Sequence, residues 1–232
     1  MSITVESVID NAFAKSAAAR LGIAASPAEL VARVQQCLLE CFQVLSRENP
    51  LIIGKIGQMA FGSGAWPRPT DCLRVLSVVA DSGTVATPTI AAGVELTIVP
   101  FGDTAIVSGV PALYEFSQAF YPVGQSVDPS AGTLTAYYAR APIALATVAS
   151  TIDPLFPEPY IDLLQNDLAA YLARKDQRDA DEASFQGQKA ALIVLLIEWA
   201  RAQTYSLTQR FPIISPPLTN SDGGRQAPGT QG

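Results

Sequence analysis

The spacing of apolar residues changes twice along the chain, from a helical period to a strand-like one and back. Residues 3–20 and 27–47 carry apolar side chains at helical spacing, residues 71–140 alternate like β-strands, and helical spacing returns over 157–203. This order predicts an α+β protein: a helical bundle of about four helices with an inserted small antiparallel β domain and an extended C-terminal arm.

The second helix has the clearest start signal. Ser26 can cap it, Pro27 suits its first position, and Glu29 completes a capping box. Polar residues then recur three or four positions apart and form one stripe: Glu29, Arg33, Gln36, Glu40, Gln43 and Arg47. The rest of the circumference is apolar, so we expect other elements to cover this helix on more than one side.

The last two helices follow Asp153. Pro157 and Pro159 fit the first turn of the third helix. The fourth runs to about Gln203, and its centre, Ala190–Ile197, is apolar on every side. A helix without a polar face is typical of a buried position, so we predict that this is the central helix of the bundle.

The β region is predicted from alternation and turn residues. Strands are expected at Leu73–Val79, 94–99, Ala112–Phe116 and Thr133–Ala139. The glycines before them, in Gly54-Lys55 and Gly62-Ser63-Gly64, match neither a phosphate-binding loop nor a nucleophile elbow, and we interpret them as flexible linker. The resulting domains are 1–58 (helical body, first part), 59–148 (β-rich insertion), 149–205 (helical body, second part) and 206–232 (arm).

The chain contains no histidine. This excludes a Ser-His-Asp triad, a Cys-His dyad and a His-ligated zinc site. We predict no catalytic, cofactor-binding or metal-binding residues, no cofactor and no enzymatic activity. The net charge of −6 is unlike that of a general nucleic-acid binder.

Charge is scarce: 16% of the residues are charged and 49% are hydrophobic. An average soluble domain has about 25% charged residues. The deficit is greatest in the β region, because residues 66–148 carry three basic and six acidic side chains. We interpret it as surface that neighbouring subunits cover, rather than as one enlarged core.

Three clusters each allow two interpretations. Cys37, Cys41 and Cys72 could ligate a metal, but small side chains in a packed face are favoured. The acidic group around 176–182 could bind a cation, but a solvated helix start is favoured. Five aromatic residues could form a ligand-stacking surface, but core or interface packing is favoured: Trp66, Tyr114, Tyr137, Tyr138 and Tyr160.

The first ten residues have no basic and apolar pattern of a signal peptide, and the longest apolar run, Ala190–Ile197, is far too short to span a bilayer. We therefore expect a soluble protein made in the cytoplasm, without a membrane partner. Within the arm, Phe211, Pro212, Ile213 and Ile214 are apolar residues in a polar segment, and we predict that they bind a partner subunit.

Two segments carry a resemblance to a known family. In Trp66–Val78, Pro69 and Asp71 give the order proline, any residue, aspartate, hydrophobic, arginine at the entry to a strand. The second segment begins at Leu134–Pro142 and continues through Asp153–Leu164 into the alanine-rich helix 167–175. Their order, with helices on both sides of a β region, resembles the head-to-tail adaptor (connector) proteins of tailed bacteriophages over roughly 30–205.

The resemblance implies a structural virion protein at the head–tail junction. Such adaptors form a homo-oligomeric ring, commonly twelvefold, under the portal protein and above a tail or nozzle protein. DNA passes through the lumen without sequence-specific binding, and the C-terminal arm docks on the portal. The alternatives are a head-completion or tail-terminator protein and, from another class, a soluble ligand-binding or enzymatic domain, which would need a deep pocket with convergent polar groups.

Overall fold

The computed structural model describes residues 3–16, 25–62, 64–81, 85–86, 95–99, 112–122, 127–128 and 133–203. The helices are α1 (Val5–Ser16), α2 (Pro27–Glu48), α3 (Ile161–Lys175) and α4 (Asp179–Ala202). The strands are β1 (Gly54–Ala60), β2 (Trp66–Pro67), β3 (Cys72–Ala80), β4 (Val85–Ala86), β5 (Glu95–Val99), β6 (Ala112–Phe116), β7 (Ala119–Pro122), β8 (Val127–Asp128) and β9 (Thr133–Arg140). The α+β class and the four helices are confirmed.

The start of α2 follows the predicted capping pattern. Ser26 has extended backbone, and its hydroxyl oxygen accepts a hydrogen bond from the amide of Glu29 at 3.2 Å. Pro27 occupies the first turn, where it has no amide hydrogen to leave unbonded. The apolar positions of α2, from Leu30 to Leu45, are buried, as the pattern predicts.

The prediction that α4 is the central helix is wrong. Only Leu196 and Ala200 of α4 are buried, whereas Val194 and Leu195 are 54% and 50% exposed. The central position belongs to α3, which contacts the other three helices and buries ten of its fifteen residues. The small side chains of α3, such as Ala169 and Ala170, let its neighbours approach closely, and α4 covers one side of it.

We expected the glycine-rich segment after α2 to be a flexible linker. The structure shows instead that it forms β1. Gly54–Ala60 pairs with β9 through seven consecutive residues. Gly57 faces the ring of Tyr138, and a Cβ atom on it would lie 3.1 Å from Tyr138 Cε1. The glycine therefore allows a close approach inside the sheet, and a larger residue here would have to displace the Tyr138 ring.

The described strands form a seven-stranded sheet, in the order β1-β9-β3-β5-β6-β7-β2, and a separate β4–β8 pair. The sheet is larger than predicted, and it is not wholly antiparallel, since β5 and β6 pair in parallel. The edge strands β1 and β2 also contact each other, which makes the sheet nearly a barrel. Its interior is a second core around Met59, Trp66 and Phe120, distinct from the core between the helices.

Several predicted features differ from the structure or lie outside the described residues. Pro157 and Pro159 lie before α3, in and beside a 3-10 turn over Glu158–Tyr160, rather than in its first turn. The expected end of the first helix at Gly22, the turn after Asp81 and most of the region 80–130 lie outside the described residues, as does the arm 206–232. The domain boundaries stay predictions, and β1 runs through the one placed at 58/59.

A buried charge cluster joins α2, α3 and α4. The Asp167 side chain is 1% exposed, and it accepts two hydrogen bonds of 2.7 Å from Arg33 and one of 2.7 Å from Lys189. Lys189 also contacts Glu40 at 2.9 Å. Burial opposes the charge of Lys189, but the two carboxylates outweigh burial and raise the pKa of its ammonium.

We expect Asp167→Asn to lower the free energy of unfolding by about 3 kcal/mol, because it leaves two largely buried cations without their shared anion. Asp162→Asn on the same helix is the matched control. Its side chain is 58% exposed and pairs with Lys15, so its loss should stay below about 1 kcal/mol. Urea unfolding of both variants tests this, and equal losses would contradict it.

Candidate assembly site

The two segments that carry the family resemblance meet where the sheet joins the helices. At the start of β3, Asp71 accepts hydrogen bonds from Lys55 Nζ at 2.8 Å and from the Tyr138 hydroxyl at 2.9 Å. Its backbone oxygen accepts the amide of Ala141 at 2.6 Å. Burial opposes ionisation of Asp71, but Lys55 and Tyr138 outweigh it and keep the pKa of this carboxyl below its usual value. One side chain thus joins β1, β3 and β9.

The end of β9 is held by a second carboxylate. Asp153 has a fully buried side chain and receives the Arg140 guanidinium in a bidentate pair, at 2.7 and 2.8 Å. It also accepts the amides of Ile143 at 2.8 Å and Leu155 at 3.0 Å. Burial opposes ionisation, but Arg140 and the two amides outweigh it and lower the pKa of Asp153. Asp153 therefore fastens the segment between the sheet and α3 onto β9.

An open cavity of about 470 Å³ lies beside these two carboxylates. Its lining includes Lys55, Asp71, Arg140 and the exposed side chain of Ile143. Both cations are already paired with carboxylates, so neither presents an uncompensated charge to a ligand. These pairs connect the sheet to the segment that leads to α3, and the Ile143 side chain is exposed at the cavity rim.

The second surface is a stripe on α4. Six exposed residues, alternately three positions and one position apart, lie along one face of this helix: Gly187, Ala190, Ala191, Val194, Leu195 and Glu198. We call this set the α4 stripe. Its first three members are small enough to let another backbone approach closely, and Val194 and Leu195 add half-exposed apolar side chains. Contiguous apolar surface of this kind on a helix marks a contact site.

Among the described residues, the cysteine and acidic clusters do not come together as ligand sites. Cys37 and Cys41 lie in the helical core, where their mutual hydrogen bond and burial raise the pKa of the Cys37 thiol, and Cys72 lies at the start of β3. Within the part of the chain that the structure describes, no three His, Cys, Asp or Glu side chains are grouped to hold a metal ion. At the start of α4, Arg178 pairs with Asp176 and Asp181.

The five aromatic residues do not form one stacking surface. Trp66 and Tyr138 belong to the core of the sheet, whereas Tyr160 lies against Trp199 at the helical core, with ring centroids 5.9 Å apart. Tyr114 stacks on Tyr121 at 5.3 Å. Phe211, Pro212, Ile213 and Ile214 lie outside the described residues. None of the described helices is long and apolar enough to cross a membrane.

Sequence reasoning missed the partners of three acidic residues, Asp71, Asp153 and Asp167. The available signal was their position: Asp167 lies among the buried residues of α3, and Asp71 and Asp153 lie at the ends of apolar segments. A carboxylate in such a place needs a cation or several amide donors. The sequence does not say which residue supplies them, because the partners are up to 134 positions away.

The described residues thus combine paired, buried charges with an exposed apolar helix face. The SU10 adaptor protein family model matches residues 13–212, and the chain belongs to this family. No curated protein matches the chain. Family membership makes it a structural adaptor protein of a bacteriophage, which confirms the broader part of the resemblance and of the expected virion location.

We expect the Asp153–Arg140 pair to stabilise the protein in a pH-dependent way. Because folding lowers the pKa of Asp153, its contribution is complete above the unfolded value of about 3.9 and is lost as pH falls through the folded value. The gap in unfolding free energy between the wild type and Asp153→Asn should therefore shrink from pH 7 towards pH 3.

Ile152→Val is the matched control, since it removes one buried methyl group beside Asp153 and no titrating group. It should lower stability by about 1 kcal/mol at every pH. Urea unfolding at a series of pH values measures both gaps. A gap for Asp153→Asn that does not change with pH would show that packing, rather than charge, explains its loss.

Proposed function

We propose that the protein is the head-to-tail adaptor that forms a twelvefold ring under the portal, connects the capsid to the tail or nozzle protein and lets DNA pass. Membership of the SU10 adaptor protein family supports the general role. The observation that carries the ring is the α4 stripe, because a helix at the edge of the structure has half-exposed Val194 and Leu195.

A closed ring of identical subunits uses a heterologous contact, in which two different surfaces of the subunit meet. We assign one of them to the α4 stripe. The other is the cavity rim at Ile143, which is 55% exposed and whose amide is held by Asp153. A rim fixed by a bidentate ion pair gives a neighbour a defined shape to pack against.

The negative net charge of the chain supports a ring whose lumen does not hold DNA. The net charge is −6, because 21 acidic side chains outnumber 15 basic ones. A strongly basic channel would hold the DNA phosphates and slow the movement of DNA. A lumen without excess positive charge lets DNA slide through the ring, without sequence-specific binding.

The first test changes the α4 stripe. We expect Val194→Asp combined with Leu195→Asp to abolish ring formation on the portal, because the contact would bury two unpaired carboxylates. Phe116→Asp is the matched control, since Phe116 is also 50% exposed but lies on β6. Electron microscopy of each variant with the portal protein of the same phage measures ring assembly, and circular dichroism checks folding.

Complete rings formed by the double variant would contradict the assignment of this face. Rings lost equally in the Phe116→Asp control would show that any new surface charge disrupts assembly. A monomer in the absence of the portal is compatible with the proposal, because the portal can act as the template. A wild-type chain that never associates with the portal would contradict the adaptor role itself.

The second test concerns the arm. We propose that Phe211, Pro212, Ile213 and Ile214 anchor the adaptor to the portal. A chain that ends at Gln209 should keep its circular dichroism spectrum and lose portal binding in a pull-down assay, because it lacks the apolar anchors. A chain that ends at Ile214 retains them and should bind. Equal binding by the two truncated chains would assign another role to this segment.

A further inference from the structure

The segment between β9 and α3 carries two exposed apolar residues that one carboxylate holds together. Ile143 is 55% exposed and Leu155 is 36% exposed. Their backbone amides donate hydrogen bonds to the two carboxylate oxygens of Asp153, at 2.8 and 3.0 Å. The two residues are therefore neighbours at the surface, beside exposed Ala144 and Pro154. We call these four exposed residues the Asp153 patch.

The Asp153 patch and the α4 stripe both belong to segments with almost no exposed charge. Residues 141–157 contain one charged residue, Asp153, and its side chain is fully buried and paired with Arg140. Residues 183–197 also contain one, Lys189, whose side chain is 12% exposed and paired. Two such surfaces can be buried against each other without leaving a charge unpaired.

The exposed faces of the other outer helices carry charge. Glu6, Asp10 and Lys15 are exposed on α1, and Arg47 is exposed near the end of α2. A neighbour that covered these faces would need a matching charge for each of them. In the α4 stripe only the last residue, Glu198, is charged, and a charge at the rim of a contact can stay in water.

The segment of the patch and α4 lie on opposite sides of α2. The Gln35 side chain accepts a hydrogen bond from the amide of Leu145 in that segment, at 2.8 Å. Glu40 and Glu48 each pair instead with a cation on α4. At 3.6 residues per turn, Gln35 is about 140° around α2 from each of these two glutamates. A ring of many subunits needs two contact surfaces on nearly opposite sides of each subunit, and these two surfaces meet that condition.

We propose that Asp153 is the positioning residue of the contact between subunits, because it builds the patch that the α4 stripe of the adjacent copy covers. The contact rests on the proposed ring. Asp153 is buried and does not touch the neighbour itself. It acts through Ile143 and Leu155, whose backbone it holds in place. Val194 and Leu195 of the adjacent copy supply the apolar side chains that bury them.

Cross-linking of subunits assembled on the portal tests which surfaces meet. In a Cys72→Ser background, Ile143→Cys combined with either Ala191→Cys or Leu195→Cys should form a disulfide between subunits under mild oxidation, in at least one of the two pairs. Ile143→Cys with Gln186→Cys is the matched control, because Gln186 is exposed on α4 but lies outside the stripe. The control should cross-link at least tenfold less. Electron microscopy of the same samples shows whether rings form.

Three further substitutions in the cross-linking pair test the role of Asp153. We expect Asp153→Asn to lower the disulfide yield at least tenfold, because an asparagine side chain has one acceptor oxygen in place of two. Val34→Ala is the control for lost stability, since Val34 is buried in the helical core, and it should leave the yield unchanged. Leu155→Lys should lower the yield at least tenfold while Asp153 stays in place, so the patch is tested even if Asp153→Asn does not fold. Circular dichroism checks the folding of each variant.

The outcomes separate this contact from the ring itself. Complete rings in which neither α4 cysteine links to Ile143→Cys would overturn the contact and leave the proposed ring standing. A wild-type chain that forms no rings on the portal would overturn both. Equal losses of yield in Asp153→Asn and Val34→Ala, or an unchanged yield in Leu155→Lys, would overturn the positioning role of Asp153.

Discussion

The connection between the sheet and the helices depends on the ion pair between Asp153 and Arg140. Asp153 has a fully buried side chain and accepts four hydrogen bonds, from the two terminal guanidinium nitrogens of Arg140 and from the amides of Ile143 and Leu155. A buried carboxylate is tolerated only when its acceptor positions are filled in this way. The pair thus selects one path for the segment between β9 and α3, and that path determines how the helices lie against the sheet.

The burial of α3 and α4 is the opposite of what their sequence patterns predict. The most apolar segment, in α4, is partly exposed, whereas α3 carries buried Gln165, Asn166 and Asp167 and still lies at the centre. Arg33 and Lys189 make this possible, because they neutralise Asp167 from the helices on either side. Two apolar side chains of α4, Val194 and Leu195, are therefore left exposed.

Sequence predicted the elements whose signals are local and missed those set by distant partners. Ser26 and the apolar face of α2 were predictable, as were β3, β6 and β9, because capping and alternation act over a few residues. The β6–β7 hairpin was not, since Ser117 and Gln118 adopt φ of 49° and 62° without the glycine that usually marks such a turn. Of the candidate sites, the packing of Cys37 and Cys41 in the helical core was predictable from sequence, but the meeting of Asp71 with Tyr138, 67 positions apart, was not.

Two surfaces of the described residues, the α4 stripe and the edge of β1, differ in chemistry. The α4 stripe presents side chains and no unpaired backbone, because a helix satisfies its own amides, so it can stabilise a contact only by burying apolar area. The edge of β1 presents backbone donors and acceptors, which an extended segment can satisfy in register. A folded neighbour fits the first and a strand fits the second. The α4 stripe is therefore the surface that suits the proposed contact with a folded neighbour.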